Sequence, residues 1–134
     1  MNVTVNFLPE FLRQAKSLRK RYASFESDFK CFLDELEANP FIGTPLGKCV
    51  RKVRMTIHSK SKGKSGGARI LTFTVNTKED GDVIVTLLSI YDKKNISNVS
   101  DKYIESLVKE WELLFGLLII ISSLLKHFLR KDSL

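Results

Sequence analysis

Lys52, Arg54 and His58 share one face of the segment Arg51-Lys52-Val53-Arg54-Met55-Thr56-Ile57-His58 if that segment is extended, because strand side chains alternate with period two. Val53, Met55 and Ile57 then form the opposite, apolar face. Arg69 opens the next apolar run, and Lys93 with Lys94 follows a third one, so antiparallel pairing can bring all of them to a single surface. No Asp or Glu stands between Glu37 and Glu79, an interval that also holds Lys48, Arg51, Lys60, Lys62, Lys64 and Lys78. A strand pair carrying only positive charge suits a polyanion. RNA can be cut on such a surface when its own 2′-hydroxyl attacks the adjacent phosphorus. The protein must then carry protons and neutralise the charge of the phosphorane. Lys52, Arg54, Arg69 and Lys93 fit the second task and His58 the first. Lys48, Arg51, Lys60, Lys62, Lys64 and Lys94 fit general attraction to the RNA backbone.

Other chemistries find little support. Gly63-Lys64-Ser65 has the end of a phosphate-binding loop, but His58 stands where its first glycine belongs and a strand follows instead of a helix. Cys31 and Cys49 are widely spaced, and only two histidines accompany them. No metal, cofactor or disulfide framework is therefore expected.

The elements that must position these residues are legible in the periodicity. Val3 to Phe7 alternates as a short strand, and Pro9 opens a helix carrying Phe11, Ala15, Leu18 and Tyr22 on one stripe. Ser24 is placed to cap a second helix, with Phe25, Phe29, Phe32, Leu33 and Leu36 inward and Glu26, Asp28, Asp34, Glu35 and Glu37 outward. Phe41 to Lys48 has the composition of a Gly/Pro connector. Three strands follow: the basic one, Ala68–Asn76, and the nearly all-apolar Val83–Tyr91, with Asp80-Gly81 as a turn. They are expected to form an antiparallel meander, with the first strand joining beside Val83–Tyr91. Ser100 or Asp101 caps a last helix containing Tyr103, Ile104, Leu107, Val108 and Trp111. The fold class is α+β: an N-terminal strand, two helices on an antiparallel sheet, and a C-terminal helix.

A length of 134 residues, 43% apolar and 28% charged, allows a hydrophobic core without staples. The net charge of +7 directs attention to nucleic acid, ribosomes or an acidic protein. The N-terminus lacks a signal-peptide pattern, and a cytoplasmic protein is expected. Residues 111–134 stand apart from residues 1–110. Leu113 to Leu125 carries no charge and is followed by Lys126-His127-Phe128-Leu129-Arg130-Lys131. At 13 residues the run is short for a membrane span. Packing in a core, a homo-oligomer or a partner competes with membrane association and with an appended end, for instance from a shifted reading frame.

The stretch from Arg51 to Thr72, with Lys-Val-Arg-Met and Gly-Gly-Ala-Arg-Ile, and the stretch Leu88 to Lys93, with Ile-Tyr-Asp-Lys, resemble the RelE/ParE toxin superfamily, more closely its RelE-like mRNA interferases. The resemblance covers about residues 3–110 and is most specific through 45–94. It implies the toxin of a type II toxin–antitoxin pair, an endoribonuclease that cleaves mRNA in the ribosomal A site and is blocked by a cognate antitoxin. It also implies that Lys52, Arg54, Arg69 and Lys93 hold phosphates and stabilise the transition state. RelE's C-terminal tyrosine has no motif match; Tyr91 and Tyr103 are alternatives, as is His58 in the base's place. A ParE-like inhibitor of DNA gyrase and a non-catalytic RNA-binding module are the competing functions.

Overall fold

The structure, a computed structural model, describes residues 2–60, 66–76, 81–96 and 98–132, the side chains at 119, 131 and 132 excepted. Lys62, Lys64 and Asp80 lie outside the described residues. Two compact units divide the chain, Met1–Val99 and Ser100–Leu134.

The first unit is a five-stranded sheet with two helices on one face. Its elements are β1 (Val3–Phe7), α1 (Pro9–Arg21), α2 (Phe25–Ala38), β2 (Thr44–Gly47), β3 (Val50–Met55), a 3-10 turn (His58–Lys60), β4 (Ala68–Asn76) and β5 (Val83–Asp92). The strand order is β1-β5-β4-β3-β2. β3, β4 and β5 form the expected antiparallel meander, and β1 joins the side of β5 in parallel, Val3 beside Val83. Pro9 occupies the first turn of α1, where its missing N–H costs nothing.

Phe11 and Leu18 of α1 and Phe25, Phe32 and Leu36 of α2 bury against Val53, Met55, Ile57, Ala68, Ile70, Val85, Leu87 and Ile90 of the sheet. Phe29 bridges the two helices, its ring 5.7 Å from Phe11 and 5.9 Å from Phe25. The alternation in the basic segment holds: Val53, Met55 and Ile57 are all buried on the helix side.

Two readings of the sequence need correction. Thr44–Gly47 is an edge strand instead of a connector, pairing Thr44 with Lys52 and Pro45 with Arg51. Pro45 is tolerated there because an edge strand has one unpaired side. Lys48 and Cys49, both at positive φ (52° and 66°), close the hairpin as a two-residue turn of the type that matches strand twist. Asp28, expected on the outer face of α2, is 4% exposed. Its spacing from Phe25 and Phe32 places it within the buried stripe.

Gly67 is a second constraint. A Cβ there would stand 2.1 Å from the Met55 carbonyl oxygen, while the Gly67 carbonyl accepts the Lys93 amide at 3.1 Å. One residue thus holds the end of β3, the start of β4 and the exit of β5 together, and only glycine fits.

The second unit is one unbroken helix, α3 (Asp101–Asp132). Ser100 caps it, its Oγ accepting the Tyr103 amide at 3.1 Å.

Gly67→Ala is expected to cost about 1–3 kcal/mol by forcing β3 and β4 apart. Urea unfolding of the variant beside the parent measures it.

Candidate active site

The β3–β4 register sets Arg54 directly opposite Arg69, and the β4–β5 register sets Arg69 opposite Tyr91. These side chains form a row across three strands, on the sheet face away from α1 and α2. Lys52 lies on the same face one pleat along, opposite Leu71. Arg54 is exposed, whereas Arg69 is 4% and Tyr91 5% exposed. Burial first, and the facing Arg54 second, lower the Arg69 guanidinium's hold on its proton, with Tyr91 acting against both. Burial also raises the Tyr91 phenol above its ordinary range, Arg69 opposing it. The Tyr91 hydroxyl is buried with no hydrogen-bond partner among the described residues. A phenol kept neutral in this way is a proton donor and a poor base.

His58 does not continue the strand face. β3 ends at Met55, and His58 opens the 3-10 turn, where its ring meets a buried acid on α2. The His58 Nδ1 pairs with Asp28 Oδ1, and the His58 amide donates to Asp28 Oδ2 at 2.9 Å. Ser24 Oγ donates to the same Oδ2 at 2.7 Å and accepts the Ser59 amide at 2.9 Å. The hydroxyl expected to cap α2 therefore fastens the His58–Ser59 turn to Asp28 instead. Burial pushes the Asp28 carboxyl upward, but the bonds from the His58 ring, Ser24 and the His58 amide outweigh it and hold the carboxyl below its usual range. With Nδ1 engaged, the 74%-exposed imidazole turns Nε2 outward. A cavity of about 310 Å3 is lined by His58, Asp28, Cys31, Glu35 and Arg54, so Arg54 belongs both to this cavity and to the arginine row.

The third locus is the exit of β5. Asp92 is 3% exposed and receives Lys60 Nζ at 2.5 Å, the Tyr22 hydroxyl at 2.5 Å and the Lys94 amide at 2.9 Å. Burial raises the Asp92 carboxyl, and the bonds from Lys60, Tyr22 and Lys94 together bring it below its usual range. Lys60, expected to attract RNA backbone, instead has its side chain 7% exposed in this ion pair. Lys93 and Lys94 line a cavity of about 320 Å3 with Tyr22, Lys60 and Gly66.

The remaining basic residues are dispersed. Lys48 stands in the β2–β3 turn, at the end of β3 far from Arg54. The Arg51 guanidinium lies 5.2 Å from the centre of the Phe41 ring. The structure therefore brings together Arg54, Arg69 and Tyr91, places His58 on the α2 side with Arg54 lining its cavity, and leaves Lys48 and, at the exit of β5, Lys93 apart. Asp28, Asp92 and Tyr22 complete these loci without any local basic motif to mark them.

No family model matches the sequence, and no curated protein matches it. Among solved structures, a mutant of the E. coli toxin RelE in the free state is similar with a TM-score of 0.47 and 19% identity, over 72% of this chain and 90% of that one.

Asp28→Asn is expected to lower stability by about 1.5–3 kcal/mol near neutral pH through loss of charge-assisted bonds. Because the folded carboxyl titrates below its ordinary 3.8, the parent's advantage is whole above that value. It is lost as pH falls through the lower, folded value, so urea midpoints of parent and variant should converge in acid. Asp92→Ala should cost about 3–5 kcal/mol by stranding the buried Lys60 ammonium. The double change Lys60→Met with Asp92→Leu should recover only part of it in urea unfolding, the Tyr22 hydroxyl and Lys94 amide still lacking their acceptor.

Proposed function

We propose that the first unit is a RelE-like toxin: an endoribonuclease that cleaves mRNA at the ribosomal A site, through the RNA's own 2′-hydroxyl, in the cytoplasm. The observation that carries this reading is Arg54, which faces Arg69 across the sheet and lines the cavity of the Asp28-oriented His58. The resemblance of Arg51–Thr72 and Leu88–Lys93 to RelE-like interferases supports it from the sequence.

In this reading the scissile phosphate lies against the exposed Arg54, with Lys52 beside it, and the buried Arg69 adds its charge from within the sheet. His58 Nε2 takes the 2′-hydroxyl proton while Asp28 holds the ring by its other nitrogen. The 2′-oxygen forms a bond to phosphorus, and the two guanidiniums take up the charge of the phosphorane. The bond to the 5′-oxygen then breaks, and that oxygen takes a proton from water. The products are a 2′,3′-cyclic phosphate and a 5′-hydroxyl. Lys93 and Lys94, with Tyr22 and Lys60, offer a basic and aromatic pocket to the neighbouring nucleotide. A cognate antitoxin covers the basic face until it is removed.

Ribosomes programmed with a defined mRNA test the proposal. Cleavage should persist with chelator present. It should fall about 10²–10³-fold with Arg54→Ala or Arg69→Ala and about 10²–10⁴-fold with His58→Gln. Intact mRNA together with gyrase–DNA cleavage complexes would give the ParE-like reading instead. Salt-sensitive RNA binding without products would leave a binding module.

A further inference from the structure

In the second unit, Leu113, Leu114, Leu117, Leu118, Ile120, Ile121, Leu124, Leu125, Phe128 and Leu129 are each between 40% and 68% exposed. At about 100° per residue, these ten fall within an arc of about 180°. Ser122, Ser123, Lys126, His127 and Arg130 share the other half of the cylinder with Phe115 and Gly116, so its polar residues all lie in the C-terminal part, from Ser122 onward. No acidic residue lies between Glu112 and Asp132. Trp111, the chain's one tryptophan, stands at the edge of the apolar arc, its ring 5.6 Å from that of Phe115.

We propose that this part of α3 is a membrane-surface helix that lies in the plane of an anionic bilayer. Its aliphatic half enters the hydrocarbon, and Lys126 and Arg130 meet the lipid phosphates.

Three observations favour lipid over a second copy of the chain. A helix paired with one other helix needs only a narrow apolar seam, whereas half of this cylinder is aliphatic. From Ser122 onward the other half is polar, basic at Lys126 and Arg130 and acid-free as far as Lys131, which complements anionic headgroups and would repel its own image. The lone tryptophan sits at the apolar–polar border, the depth at which indole rings gather in bilayers. α3 as a whole is long and apolar enough to cross a bilayer. Its charge-free run, however, is 13 residues, about 20 Å against the roughly 30 Å of hydrocarbon a span must cross, before Lys126, His127 and Arg130 interrupt it. That length fits a helix lying along the surface. The proposal is independent of the nuclease reading, since no residue of the sheet enters it.

Flotation of the full chain with phosphatidylcholine vesicles, with and without phosphatidylglycerol, provides the test. The chain should float with the anionic vesicles, its Trp111 emission shifting to the blue and being quenched by lipids brominated near the headgroup. Because the basic sheet can also attract anionic lipid, the deciding variants lie in the helix. Leu117→Asp with Ile121→Asp and Leu124→Asp should lower partitioning more than about tenfold and abolish the Trp111 shift. Lys126→Gln and Arg130→Gln should each lower it about fivefold on anionic vesicles only. Flotation of the triple variant equal to the parent would overturn the proposal. So would a parent that stays in solution as a discrete oligomer with Trp111 already shielded.

Discussion

Two guanidiniums set directly opposite one another across adjacent strands repel, and like charges at such positions weaken a sheet. Arg69 is also almost wholly buried, which compounds the cost. The register that enforces this opposition is held from several sides. Ile70, Val53 and Met55 lock β3 and β4 to the helix layer, and Gly67 lets the two strands approach without a side chain between them. The apolar core thus opposes an electrostatic penalty concentrated at one row.

Two buried aspartates perform related tasks at opposite ends of this arrangement. Asp28 fixes the turn that follows β3, and Asp92 fixes the exit of β5. Each gathers donors from a helix and a loop, so neither the His58 ring nor the Lys93–Lys94 corner depends on local sequence alone for its position. Asp28 aims a side chain outward, whereas Asp92 draws one inward and neutralises it.

Much of the first unit was legible because hydrophobic period is a local signal. The alternation of Val53, Met55 and Ile57 predicted their burial, and the Phe25–Leu36 stripe predicted the inner face of α2. Parity failed where it was carried past the end of the strand: His58 sits in a 3-10 turn, so its direction is set by Asp28 instead of by pleat. Asp28 was misplaced by its charge, although its spacing from Phe25 and Phe32 marked it as inward. Lys60 carried no local signal at all, because its partner Asp92 lies 32 residues away and is met only in the folded sheet. β2 escaped because Pro45 and Gly47 lower strand propensity at an edge that tolerates both.

β1 pairs with β5 across nearly the whole first unit, Val3 beside Val83. β1 therefore waits for the last strand of the sheet, and a closure of this length is slow relative to the local β3–β4 pairing. The two arginines can face each other as soon as that hairpin forms. The row they belong to is completed by Tyr91 only when β5 arrives. A nascent chain thus assembles its cationic strands early and the sheet that fixes them late, so its arginine row matures in two separate kinetic stages.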